Sequence, residues 1–341
     1  MVYKFINLRK ASKWLLIMFL AISVSFVSCK GKKQNNINKE TQLTVLTHEI
    51  EKDPKNPELY YKRATLLLNM NKANDALSDI NKAIQLDEKN PDYYVLLSDI
   101  YFTMVQIQKC NDALKKALEY NENHVPALLK LAELNLYLKN YKQTYEFTDK
   151  VIANDNINAK AFFIKGYALK EDGDTVKAVQ MFTKAVDLNP DYYDAFMQLG
   201  LLYAIKGDNM AVQYYNGALN LNAKSTEAHY ALGMFYQSKG DVNNARKLYQ
   251  NLLTIDPNYK WAHYNLGFLE LVFTDKYDLA VQHFSNAIKC DPNYAEAYYN
   301  RGYSYELMGK VAEARADYKK ALDLKVNYEK AIEGMNRLDK R

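Results

Sequence analysis

Five pairs of bulky side chains stand four residues apart: Phe163 and Tyr167, Met197 and Leu201, Tyr230 and Met234, Tyr264 and Phe268, Tyr299 and Tyr303. One helical turn separates such partners, so each pair lies on one helix face. Rings and thioethers offer large contact area and adaptable packing, which is the chemistry of binding another chain. The same rings could instead only pack helix against helix, and the sequence leaves both readings open. Residue types that carry catalysis are not arranged for it. The five histidines (His48, His124, His229, His263, His283) show no His-x-x-x-His or Cys/His spacing suited to a metal. There is no Gly-rich phosphate loop. Cys110 and Cys290 lie too far apart to pair and read as small packing residues. The expectation is a non-enzyme without catalytic residues, metal or cofactor.

The elements that must position those pairs come from repetition. Ala295 to Tyr328 reads as two short helices around Gly309, an αα-hairpin too small to bury its own apolar faces. Weaker copies start at Pro57, Pro91, Val125, Ala159, Tyr193, Thr226 and Lys260, spaced by 34 residues apart from one spacing of 33 and one of 35. Counting Ala295 as position 1, position 8 is small in every copy, from Ala64 and Ser98 to Gly267 and Gly302. Position 20 is mostly Ala, and so is position 27. All seven prolines fall at junctions between copies, where a helix must start or stop. The paired side chains occupy positions 5 and 9 of the copies from Ala159 onward.

A unit with an aromatic near position 4, Leu-Gly at 7 and 8, Ala at 20 and 27 and Pro at 32 resembles the tetratricopeptide repeat. Leu199-Gly200, Leu232-Gly233 and Leu266-Gly267 carry the likeness, with Tyr60, Phe162 and Tyr298 at position 4. The resemblance implies an all-α solenoid, a right-handed superhelix of about eight repeats over 57–328: 57–90, 91–124, 125–158, 159–192, 193–225, 226–259, 260–294 and 295–328. It further implies that first helices line a concave groove through positions 2, 5, 9, 12 and 13. The ten paired residues named above would then form a peptide-binding wall, with Glu58, Asp92, Asp194, Glu227 and Glu296 at position 2 as an acidic edge. The chaperone-type carboxylate clamp of the family is not matched, since aromatics stand where it needs Lys and Asn. The third unit departs from the pattern at Asn135, Thr144, Thr148 and Val151 and is expected to pack loosely. His229 and His263 replace the position-4 aromatic and read as packing residues. Arg63 with Asp79, and Arg301 with Asp317, are expected to pair across their hairpins.

The N-terminus is different. Lys4, Arg9, Lys10 and Lys13 precede an apolar run from Trp14 to Val27 and then Ser28-Cys29, the order of a secretory signal over 1–28. The run is too short to span a bilayer core of about 30 Å comfortably. An uncleaved anchor and an unmodified thiol are the alternatives. The segment resembles a bacterial lipoprotein signal, which implies acylation of Cys29 and a stable lipid anchor. Lys30 is not the Asp associated with inner-membrane retention, so the periplasmic face of the outer membrane is expected. Residues 29–39 read as the lipidated start and a flexible tether, 40–56 as a capping helix and 329–341 as a C-terminal cap. The signal holds four of the chain's 45 basic residues, leaving 41 against 40 acids, with no electrostatic footprint for nucleic acid. The sequence thus predicts a membrane-anchored scaffold that binds an envelope protein or peptide, and no small-molecule substrate. A regulatory or substrate-binding subunit of an envelope enzyme or secretion system is the alternative.

Overall fold

The computed structural model describes residues 29–340, so the expected signal segment 1–28 lies outside the described residues. These residues form eighteen helices and no strand. Helix α1 (Cys29–Lys52) is followed by eight antiparallel pairs. They are α2 (Pro57–Asn69) with α3 (Ala73–Leu86), α4 (Pro91–Thr103) with α5 (Ile107–Tyr120), α6 (Val125–Tyr137) with α7 (Tyr141–Asn154), and α8 (Ala159–Asp172) with α9 (Thr175–Leu188). Then come α10 (Tyr193–Ile205) with α11 (Met210–Leu221), α12 (Thr226–Ser238) with α13 (Val242–Ile255), α14 (Lys260–Val272) with α15 (Tyr277–Cys290), and α16 (Ala295–Leu307) with α17 (Val311–Leu324). Helix α18 (Glu329–Asp339) follows. Residues 30–39, expected as a flexible tether, are helical within α1. Beyond Gly31 the segment has no glycine or proline, and Lys and Gln are residue types of good helix propensity.

Local chemistry starts and stops these helices. Asn56 and Asn90 each accept a hydrogen bond from the amide two residues on, at 3.1 Å, ahead of a proline in the first turn. Asn158, Ser225 and Asp241 cap α8, α12 and α13 by accepting from the amide three residues on. Every turn inside a pair needs one residue in the left-handed region. Gly173, Gly207, Gly240 and Gly309 take it in four turns, and Asn71, Val105, Lys139 and Asp275 in the others.

In the five pairs from α8 onward, the glycine at position 8 of the first helix receives the ring at position 24 of the second. A Cβ added at Gly200 would lie 2.6 Å from the Tyr215 ring, and one at Gly233 2.6 Å from Tyr249. The position-20 alanines Ala76, Ala178, Ala211, Ala245, Ala280 and Ala314 are fully buried opposite them. In the third pair, expected to pack loosely, the departing residues are nonetheless covered. Thr144, Thr148 and Val151 are fully buried, and the two hydroxyls are satisfied by their own helix, Thr144 Oγ1 donating to Asn140 O at 3.1 Å and Thr148 Oγ1 to Thr144 O at 2.8 Å. Asn135 is buried too, donating to Leu131 O at 2.8 Å. The expected ion pairs form, Arg63 with Asp79 and Arg301 with Asp317, each at 2.7 Å and doubled by a second hydrogen bond.

The chain divides into two compact units, the first ending at Leu188 and the second starting at Asn189. The first holds a core that runs from Ile50 of α1 through Tyr93, Ile100 and Leu131. The second builds its core in steps, around Tyr215, Tyr249, Phe284 and Tyr318. Its end is covered by Ala331 and Leu338 of α18, while Ile332 is 40 % exposed.

Candidate functional site: the first-helix face of the second unit

In the first unit, Phe163 and Tyr167 are buried, and the Lys170 ammonium lies 3.8 Å from the centre of the Tyr167 ring. In the second unit Met197 is buried, while Leu201, Tyr230, Tyr264, Phe268, Tyr299 and Tyr303 are half-buried and Met234 is exposed. The position-5 rings are wedges. Tyr230 lies between Tyr249 at 6.3 Å and Tyr259 at 5.7 Å, Tyr264 between Phe284 at 5.5 Å and Tyr294 at 5.0 Å, and Tyr299 between Tyr318 at 5.7 Å and Tyr328 at 5.4 Å. Each therefore joins its own second helix to the last residue of its repeat, which caps the helix that follows. Burial raises the hydroxyl pKa of all three. The Tyr264 hydroxyl accepts from Asn300 Nδ2 at 2.7 Å.

What the wedges leave open is the row beside them. Met234 at position 9 is 38 % exposed and Trp261 at position 2 is 45 % exposed. Ile205, Val272 and Leu307, all at position 13, are exposed as well. Positions 2, 9 and 13 share one helix face, because seven residues make two turns and four more make one. Successive first helices meet along this face: Asn265 Nδ2 approaches Met234 Sδ at 3.2 Å. Trp261 is the residue the sequence reading missed. Position 2 was expected as an acidic edge, and the signal that could have found it is the shared face of Trp261 and Phe268, seven residues apart.

Charges on the four first helices of this unit are mostly answered. Lys260 pairs with Asp291 at 2.6 Å, Glu270 with Arg246 at 2.9 Å, Glu296 with Lys325 at 2.9 Å, and Glu306 with Arg337 at 2.9 Å. Arg301 is held by Asp317. Asp194 and Glu227 have no cation within ion-pair distance among the described residues. In the first unit the acids at positions 2 and 9 are paired, Asp92 with His124 at 3.2 Å, Asp99 with Lys130 at 2.7 Å and Glu133 with Lys160 at 2.8 Å. His229 and His263 turn a ring nitrogen to a backbone carbonyl, Ser225 O at 2.8 Å and Pro257 O at 3.0 Å. Among the described residues no group of His, Cys, Asp and Glu could hold a metal ion. No described helix is long and apolar enough to cross a membrane.

Family models described as TPR repeat or tetratricopeptide repeat match residues 45–78, 91–124, 159–192, 235–271, 274–309 and 295–328. Together these segments span more than half of the chain, which belongs to the tetratricopeptide repeat family. No curated protein matches it. Among solved structures, a tetratricopeptide repeat protein from Parabacteroides merdae is 18 % identical with a TM-score of 0.50, over 74 % of this chain and 99 % of that one. MamA is 26 % identical over 47 % of this chain and 94 % of its own, with a TM-score of 0.45. YrrB, described as a TPR protein with an unusual peptide-binding site, is 22 % identical over 66 % of this chain and 99 % of its own, with a TM-score of 0.41. The all-α solenoid fold expected from the sequence is thus shared with known repeat proteins.

Proposed function

We propose that the chain is a non-enzymatic scaffold whose second unit binds a peptide segment of another protein on the first-helix face. The observation that carries this reading is the exposed apolar row of Met234 and Trp261, flanked by half-buried Leu201, Phe268 and Tyr303, on helices whose charges, apart from Asp194 and Glu227, are paired. Exposed apolar side chains grouped on one helix face suit an interaction site. Met and aromatic side chains suit it, giving contact area without a fixed partner geometry.

The test follows from the burial pattern. Substituting the wedge rings Tyr230, Tyr264 or Tyr299 would confuse binding with folding, whereas Met234→Ser and Trp261→Ser change side chains that already face water. The double variant should keep the wild-type melting temperature and lose capture of peptides selected on the wild type by about tenfold or more, the loss expected for truncating an interface anchor. Unchanged capture would remove the face from the account.

The place of action is proposed from the N-terminus. A basic segment, an apolar run and Ser28-Cys29 support export with acylation of Cys29, and so a lipid-anchored protein of a bacterial envelope, on the periplasmic face of the outer membrane.

A further inference from the structure

Asp194 and Glu227 occupy position 2 of α10 and α12, seven residues before Leu201 and Met234, and so share a face with those apolar side chains. The starts of the two helices are held together by the contact of the Tyr193 hydroxyl with Ser225 Oγ at 2.6 Å. Asp194 is half-buried and Glu227 reaches solvent, yet each is ringed by enough protein that burial raises its pKa, and the charge of Asp194 raises Glu227 further. On the four first helices of this unit every other charged side chain of Lys, Arg, Asp or Glu has its opposite. An acid in the first turn of a helix also complements the helix dipole, but Glu296 stands at the same position of α16 and carries Lys325. Two like charges held near one another beside an exposed apolar row complement a ligand that is both basic and apolar.

We propose that Asp194 and Glu227 receive a lysine or arginine side chain of the bound peptide while a neighbouring apolar residue of that peptide rests on Met234. The proposal rests on the peptide-binding reading above and adds its charge selectivity. Seven residues of α12 rise about 10 Å, which about three residues of extended peptide span, so one short segment reaches both places. In the first unit the corresponding position-2 acids already have partners, Glu58 with Lys62 at 3.7 Å and Asp92 with His124 at 3.2 Å, so the selectivity belongs to the second unit.

A displayed library of random dodecapeptides, selected in parallel on the protein and on the Asp194→Asn/Glu227→Gln variant, tests this. The protein should enrich peptides with Lys or Arg close to an apolar residue. The variant should keep its melting temperature and still select apolar peptides, without the basic residue. For one selected peptide, Lys→Gln should cost about tenfold in Kd on the wild type, as for loss of a charged hydrogen bond, and nothing on the variant. That difference should shrink with added salt. Peptides without basic enrichment, or the same peptides on both proteins, would overturn the cation subsite and leave peptide binding standing. Selection of no peptide by the wild type would overturn both.

Discussion

At Gly200 the backbone of α10 meets a ring that has nowhere to go: Tyr215 is buried, and a Cβ would stand 2.6 Å from two of its carbons. Alanine is worth about 1 kcal/mol over glycine inside a helix, but overpacking a filled core costs about 1–3 kcal/mol. The clash wins, so Gly200→Ala should lower the melting temperature. Gly302 is the control, since its nearest atoms lie at 3.1 Å, where a small shift suffices, and Gly302→Ala should melt near the wild type. Val105 shows the reverse error of fit. It takes φ +59 in the turn between α4 and α5, a conformation that a β-branched residue resists, and its side chain is exposed. Relief of a left-handed conformation is worth about 1–2 kcal/mol, less the extra entropy glycine loses on folding, so Val105→Gly should stabilise by about 1 kcal/mol. A urea midpoint that falls instead would show that the valine side chain contributes a contact.

Between elements, the charged contact that matters most joins α13 to α14. Glu270 is buried, accepting from Arg246 Nε at 3.0 Å and from Thr274 Oγ1 at 2.6 Å. Burial pushes its carboxyl pKa up, but the hydrogen bonds of Thr274 and Arg246, helped by the charge of Lys276, hold it below the ordinary value. A lowered pKa means that the pair stabilises the fold above the ordinary carboxylate range, and that this is lost as pH falls through the lowered value. Arg246→Gln leaves the buried carboxylate with Thr274 but no adjacent cation. It should destabilise by about 1–3 kcal/mol at neutral pH, with the deficit narrowing in mildly acid solution as Glu270 takes up a proton. His283, whose pKa burial lowers, faces the same pair and gains charge only in acid. Equal urea midpoints for variant and wild type at neutral pH would contradict this. Neither this pair nor the place of Trp261 in the exposed row was legible in advance. The hairpins were, because small residues at position 8, alanine at 20 and proline at the junctions each have a local steric cause that a single chain displays. Arg246 and Glu270 sit in different repeats, and the sequence gives no pairing signal across that distance. Whether Tyr230 faces a ligand or a neighbour depends on Tyr259, a residue of the junction and not of its own helix.

For the molecule as a whole, the repeats need covers at their ends, because each pair hides its apolar faces only against a neighbour. At the C-terminal end α18 does this with charge as well as apolar surface: Arg337 donates to Glu306 at 2.9 Å, and the Tyr318 hydroxyl donates to the same carboxylate at 2.6 Å. At the other end α1 does it with Ile50, while Lys39 Nζ donates to Asn69 O at 3.0 Å and Lys72 faces Glu40 at 3.6 Å. Among the described side chains, the contacts that dock α1 begin at Lys39, ten residues after Cys29. This separation makes the proposed lipid anchor testable without disturbing the fold. If Cys29 is acylated, Cys29→Ala should move the protein from the membrane fraction to the soluble fraction, because several acyl chains at about 0.8 kcal/mol per buried CH₂ are then missing. The melting temperature should not change, since Leu43, Leu46 and Ile50 still pack as before. A protein that stays with the membrane after this substitution would owe its location to something other than acylation, and the anchor would have to be dropped while the peptide-binding face remained.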